Sequence, residues 1–174
     1  MAADAADRGA IYPVMSTTVG PTYTLGAITQ AAPVLVTPTV RTTPLTGASV
    51  LALTDAMSGQ VIDCGAAEDF VLPTITSANL GVNYKFIVTT TATSLTITAA
   101  ALQLLHGGVG MDSTTAGDGE AFSADGTDDL VITMNGTTQG GIIGSWVELY
   151  AKTTTKWLVI GNLLGSGTMV TPFS

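Results

Sequence analysis

From Ser49 onward the sequence is a succession of short apolar runs, each closed by residues that turn the chain. Val50-Leu51-Ala52-Leu53 precedes Met57-Ser58-Gly59, and Gln60-Val61-Ile62-Asp63-Cys64 precedes Gly65. Phe70-Val71-Leu72 stops at Pro73, which removes a ladder donor. This spacing has room for strands and none for long helices. Tyr84-Lys85-Phe86-Ile87-Val88 and Ser94-Leu95-Thr96-Ile97-Thr98 alternate as half-buried strands do, and the Thr-rich link between them predicts antiparallel neighbours. Residues 99–105 are the best helical candidate, one or two turns ending at His106-Gly107-Gly108. Residues 107–128 read as a long surface connection with a strand at Glu120-Ala121-Phe122. The run Asp129 to Met134 enters Asn135-Gly136, a tight-hairpin signal. Trp146-Val147-Glu148-Leu149-Tyr150 and Lys156-Trp157-Leu158-Val159-Ile160 predict a second hairpin. About eight strands at this spacing predict an all-β chain, an antiparallel β-sandwich or jelly-roll-like domain.

Composition agrees. The 30 Thr favour a pleated surface and the 20 Gly supply corners. Charged residues are 10% of the chain, against roughly 25% in ordinary soluble domains. With a mean hydropathy of +0.46, few charges are left to cover the surface, so some apolar area must be hidden against a partner.

Between Arg8 and Arg41 lie 32 residues without a charge, carrying Pro13, Pro21, Pro33 and Pro38. Prolines this close exclude a helix. The segment lacks the charge of a disordered tail and the Gly/Ser content of a flexible linker. We therefore expect residues 1–46 to form an extended N-terminal arm and residues 47–174 the folded domain. At full extension the arm reaches ~150 Å. Its apolar groups are the expected contacts with subunits: Ile11, Tyr12 and Val14, then Tyr23 and Leu25, then Val34, Leu35 and Val36. Packing of the arm on its own domain as edge strands is the alternative.

Charge is uneven. Residues 1–46 sum to zero, whereas residues 47–174 hold eleven acids and three lysines. Arg8, Arg41, Lys85, Lys152 and Lys156 are scattered, so no patch neutralises a run of phosphates and nucleic-acid binding is not expected. No stretch of eighteen apolar residues predicts a membrane span, and the acidic start lacks the pattern of a secretory signal. One cysteine, Cys64, makes neither an intrachain disulfide nor a zinc site and reads as a buried strand residue.

Catalytic constellations are missing from the sequence. His106 is the single imidazole and reads as a turn residue, and no nucleophile elbow or phosphate loop is present. Asp118 with Glu120, and Asp125 with Asp128 and Asp129, are the candidate carboxylate pairs or calcium ligands, with a solvated acidic turn as the default. No cofactor is expected. Asn135-Gly136-Thr137 fits a glycan acceptor, but the hairpin role is preferred. Trp146 and Trp157 lie on neighbouring predicted strands, one suited to the core and Trp146 a candidate subunit contact. The end of the chain, with Met169 and Phe173 on a Gly-rich lead, reads as a docking tail.

Several of these runs together resemble a family. Leu53-Thr54-Asp55-Ala56-Met57-Ser58-Gly59, Phe70-Val71-Leu72-Pro73, Gly81-Val82-Asn83-Tyr84-Lys85-Phe86-Ile87-Val88 and Leu130-Val131-Ile132-Thr133 carry the resemblance. Gly144-Ser145-Trp146-Val147-Glu148-Leu149, Lys156-Trp157-Leu158-Val159-Ile160-Gly161 and Gly165-Ser166-Gly167-Thr168 continue it. Over residues 47–174 the chain is similar to small capsid decoration (cement) proteins and head-fibre domains of cyanophages and marine phages. The resemblance implies a non-enzymatic virion protein, commonly a homotrimer, assembled in the host cytoplasm and seated on the outer capsid surface. There it would clamp neighbouring major capsid subunits. It transfers no catalytic residue. A receptor- or carbohydrate-binding module of a head or tail fibre, using Tyr150, Trp146 and the acidic loop, is the competing expectation.

Overall fold

The computed structural model describes residues 49–115 and 119–174, together with the backbone of residues 23–25 and 28–30. The chain divides into two units, Met1–Thr37 and Pro38–Ser174. In the first, β1 (Tyr23–Leu25) and β2 (Ile28–Gln30) pair antiparallel, Leu25 opposite Ile28 and Tyr23 opposite Gln30. Only two residues separate the strands, as a tight hairpin requires.

The second unit contains β3 (Ser49–Ala52), β4 (Gln60–Cys64), β5 (Ala67–Val71), β6 (Asn83–Val88) and β7 (Ser94–Thr98). It continues with β8 (Leu104–Ser113), β9 (Glu120–Asp125), β10 (Val131–Met134), β11 (Trp146–Thr153) and β12 (Lys156–Gly165). No α-helix occurs among the described residues. Four strands form one sheet in the order β10-β7-β5-β3, and six form another in the order β4-β6-β11-β12-β8-β9.

The all-β class is as expected, but the sheets are mixed instead of antiparallel. β3 pairs parallel with β5, β5 with β7, β4 with β6, and β8 with β12. The cause is the connections. From β3 to β7 each link carries the chain from one sheet to the other, so strands two apart in sequence lie side by side and run the same way. β6 and β7, expected to be neighbours, therefore sit in different sheets. The predicted hairpin of β11 and β12 does form, from Trp146 opposite Asn162 to Thr153 opposite Lys156.

Three local expectations change. Residues 99–103 make a turn, not a helix. Leu102 takes φ +68 there, and buried Gln103 bonds Ile75, its Oε1 accepting from Ile75 N at 2.9 Å and its Nε2 donating to Ile75 O at 2.9 Å. The Gly-rich stretch after His106 continues β8, paired with β12 on one side and β9 on the other. Glycine is required at 107, where φ is +132 and a Cβ would overlap Val159 O. Asn135-Gly136 turns the chain after β10, but β11 follows in the other sheet, so no hairpin results. Asn135 Oδ1 accepts from Thr137 N at 2.9 Å and Gln139 N at 3.0 Å, which builds the turn from its own side chain.

The sheets share one core, giving a sandwich-like unit. Alternation along each strand sends Ile62, Phe70, Phe86, Leu95, Ile97, Leu149, Trp157 and Val159 inward. Phe70 of β5 and Phe86 of β6 meet edge to face across the layers, ring centroids 5.1 Å apart. Cys64 is buried on β4, as expected. The tail docks on its own unit. Thr133 N donates to Pro172 O at 2.8 Å and Ser174 N to Val131 O at 3.1 Å, which covers the outer edge of β10.

Candidate interaction surface

The two sheets differ on their outer faces. On the four-stranded sheet Asp69 lies in register with Thr96, and Thr96 with Thr133. Thr96 donates to Asp69 Oδ1 at 2.6 Å, so the middle of this face is polar, while Val50, in register with Asp69 on the edge strand β3, stands 67% exposed.

The six-stranded sheet carries apolar and aromatic residues among charged ones on its outer face. Its outward residues fall into rows fixed by register. One row runs Val61, Lys85, Glu148, Ile160, and the next Asp63, Ile87, Trp146, Asn162. A third runs Asn83, Tyr150, Leu158, His106, Asp125. Ile160 is 42% exposed, and Val61, Ile87, Trp146, Tyr150 and Leu158 are half-buried.

The charges in the middle of this face satisfy one another. Lys85 Nζ is 2.7 Å from Glu148 Oε1, and Tyr150 OH donates to Glu148 Oε2 at 2.6 Å. Lys85 Nζ also stands 4.9 Å from the centroid of the Trp146 ring, within cation–π range. The Lys85 hydrogen bond, and then that of Tyr150, hold the Glu148 carboxyl below its ordinary pKa. The same bond to Glu148 raises the Tyr150 phenol. Two aromatic rings therefore flank an ion pair whose two charges answer each other.

Of the arm residues expected to bind a partner, Ile11, Tyr12, Val14, Val34, Leu35 and Val36 lie outside the described residues. Tyr23 and Leu25 stand on β1. Trp146 lies on the outer face just described. Met169 and Phe173, expected as contacts, are instead 6% and 5% exposed and belong to this unit's own core. The docking of the tail against β10 drives both side chains inward. Trp157 is fully buried, packed 6.0 Å from Tyr84. Ile87, Leu158 and Ile160 were not anticipated as contacts. Their signal was the loss of alternation in Phe86-Ile87-Val88 and Trp157-Leu158-Val159-Ile160, where apolar residues occupy both parities.

The other candidates serve the fold. His106 is on β8, not in a turn, and its Nδ1 lies 3.1 Å from Asp125 O. The carboxylates of Asp125, Asp128 and Asp129 lie within 4.8 Å of one another. They support their own loop, Asp125 Oδ1 accepting from Thr127 N at 2.7 Å and Asp129 Oδ2 from Asp125 N at 3.0 Å. Lys156 Nζ and His106 Nδ1 crowd Gly126, where an added Cβ would meet them at 2.9 and 3.0 Å. Glu120 opens β9, and Asp118 lies outside the described residues. Among the described residues no helix is long and apolar enough to cross a membrane. Comparison with protein-family models, curated proteins and solved structures finds no match to this chain.

Proposed function

We propose that this chain is a structural virion protein, a decoration (cement) protein on the outer surface of a phage head that clamps neighbouring major capsid subunits. The observation that carries the reading is the outer face of the six-stranded sheet. A sheet whose inner face packs into the core, and whose outer face groups Ile87, Trp146, Tyr150, Leu158 and Ile160 around a closed ion pair, suits cover by protein. The uncharged, proline-studded segment between Arg8 and Arg41 supports the same reading. The fold expectation is kept at the level of a two-sheet sandwich, since four parallel pairings depart from an antiparallel jelly roll.

The mechanism is passive and non-enzymatic. Each apolar group covered contributes roughly 25 cal/mol per Å². A homotrimer that grips several shell proteins at once gains avidity through effective concentration, so each contact can be weak. The acidic unit keeps the decorated particle soluble. Neither nucleic acid nor membrane is a partner in this scheme.

The test is co-sedimentation of the full-length protein with undecorated capsids of the phage that encodes it. Saturation at multiples of three copies per symmetry-equivalent position is expected, and absence of binding refutes the reading. A chain lacking residues 1–46 that binds equally well would show that the arm is not the anchor. Trp146 and Tyr150, flanking a charged pair on one face, favour a carbohydrate-binding fibre module as the second reading. A glycan array that yields a ligand lost in Trp146→Ala would establish it.

A further inference from the structure

The outer face of the six-stranded sheet groups Ile87, Trp146, Leu158 and Ile160, and the chain itself offers a segment suited to cover them. Residues 9–40 carry no charge, and the face carries its central charge as a closed Lys85–Glu148 pair. The other carboxylates of the face, Asp63 and Asp125, stand on the edge strands β4 and β9, so its centre demands no counter-charge. Residues 47–174 hold eleven acids against three lysines, so two copies meeting domain to domain repel, whereas residues 1–46 sum to zero and approach freely.

The hairpin of β1 and β2 points the same way. Two strands of three residues each are too small to persist in water alone and require a surface to lie on. Length permits that surface to belong to another molecule. Even with the reversal at the β1–β2 hairpin, the thirteen residues from Ile28 to Val40 have a contour length of up to ~45 Å, more than the ten-residue β8 or β12.

We infer that residues 9–40 of one copy dock on the outer face of the six-stranded sheet of a second copy, across Trp146, Ile87, Leu158 and Ile160. This rests on the decoration reading for the arm's role as a clasp, and deepens it by assigning the arm's receptor to the protein itself. Exchange of arms makes each copy both donor and acceptor, a head-to-tail contact that closes into a ring when the rotation per copy allows. Contact with the shell is then made by the part of the face that the arm leaves uncovered.

The experiment places a photoreactive benzoylphenylalanine at position 160 of the full-length chain, where the native side chain is exposed. Isotopically light and heavy preparations are mixed, allowed to exchange and irradiated. Light–heavy crosslinks from position 160 to residues 9–40 are expected. Crosslinks confined to light–light and heavy–heavy pairs would mean that each chain covers itself, and crosslinks to other residues would mean a different occupant. Either result overturns the inference. Independently, Ile160→Asp should weaken self-association at least tenfold by light scattering, with far-UV circular dichroism reporting an intact fold. An unchanged oligomer would also overturn it. Shell binding is scored separately. Crosslinked rings that ignore capsids would sink the decoration reading alone, and capsid binding without the crosslink would sink only the arm exchange.

Discussion

Gln103→Ala should be the most damaging single truncation of a polar side chain in the described structure. Gln103 is 4% exposed, and its own N–H closes the preceding turn by donating to Ala100 O at 3.0 Å. Its amide satisfies both backbone groups of Ile75, at 2.9 Å each, and reaches Thr154 O at 3.3 Å. It thereby ties the loop after β5 to the β11–β12 hairpin. Truncation strands the N–H and C=O of Ile75 at a position 4% exposed. Each buried group left without a partner costs about 1–3 kcal/mol, and the emptied volume adds to that. The expected loss is about 3–5 kcal/mol, a large share of a typical domain stability of about 5–15 kcal/mol. Urea unfolding followed by tryptophan emission measures it. Gln103→Glu keeps the acceptor for Ile75 N but turns a carboxylate toward two carbonyls, so it should be least stable at neutral pH and recover on acidification. A loss below about 1 kcal/mol for the alanine variant, with unchanged m, would refute the claim that this side chain carries those buried groups.

Gly136→Ala should unfold the turn after β10, since φ is +74 and the new Cβ would overlap Ala92 O; a thermal midpoint equal to wild type would contradict this. Leu102→Asn should raise stability by up to about 1 kcal/mol, because Leu102 is 89% exposed yet held at φ +68, where Asn is better tolerated; a lower midpoint in calorimetry would argue against strain. Burial, reinforced by Asp55, raises the Tyr84 phenol above its ordinary 10.0, so its contribution is intact below that pH and is lost as pH rises beyond it. Tyrosinate absorbance should report Tyr84 only together with unfolding, and Tyr84→Phe should flatten the alkaline loss. Glu148 is shifted the other way, so its stabilisation is present above the ordinary carboxylate range and disappears as pH falls through the lowered value. Glu148→Gln should remove that acid dependence in pH-resolved denaturation, and an unchanged acid slope would count against the pairing.

The strands were largely legible and their arrangement was not. Runs such as Gln60 to Cys64 and Lys156 to Ile160 declare themselves through β-branched and apolar residues bounded by turns. Partner choice depends on whether a link returns to the same sheet or crosses to the other. Thr89-Thr90-Thr91, which crosses between sheets, looks in sequence much like Thr153-Thr154-Thr155, which closes the β11–β12 hairpin. The glycines after His106 suggest a loop because a strand interior seldom tolerates them. Here they admit the close approach of β12 and β9. The interaction face was half visible. Trp146 stood out as an aromatic, whereas Ile160 and Leu158 looked like core until register placed them opposite Glu148 and Tyr150.

The parallel union of β8 with β12 joins residues about fifty positions apart, Leu104 to Lys156 and Ser113 to Gly165. β12 lies in the interior of its sheet, so β8 and β11 each wait with an open ladder until it arrives. Long-range pairing of this kind is slow to form. During synthesis the half-built sheet therefore has two vacant edges at once, and the nearest chains able to fill them wrongly are sister copies emerging from the same message. High-level expression should punish this architecture through misassembly, and slowing translation or lowering temperature should rescue yield more than any change to the mature surface.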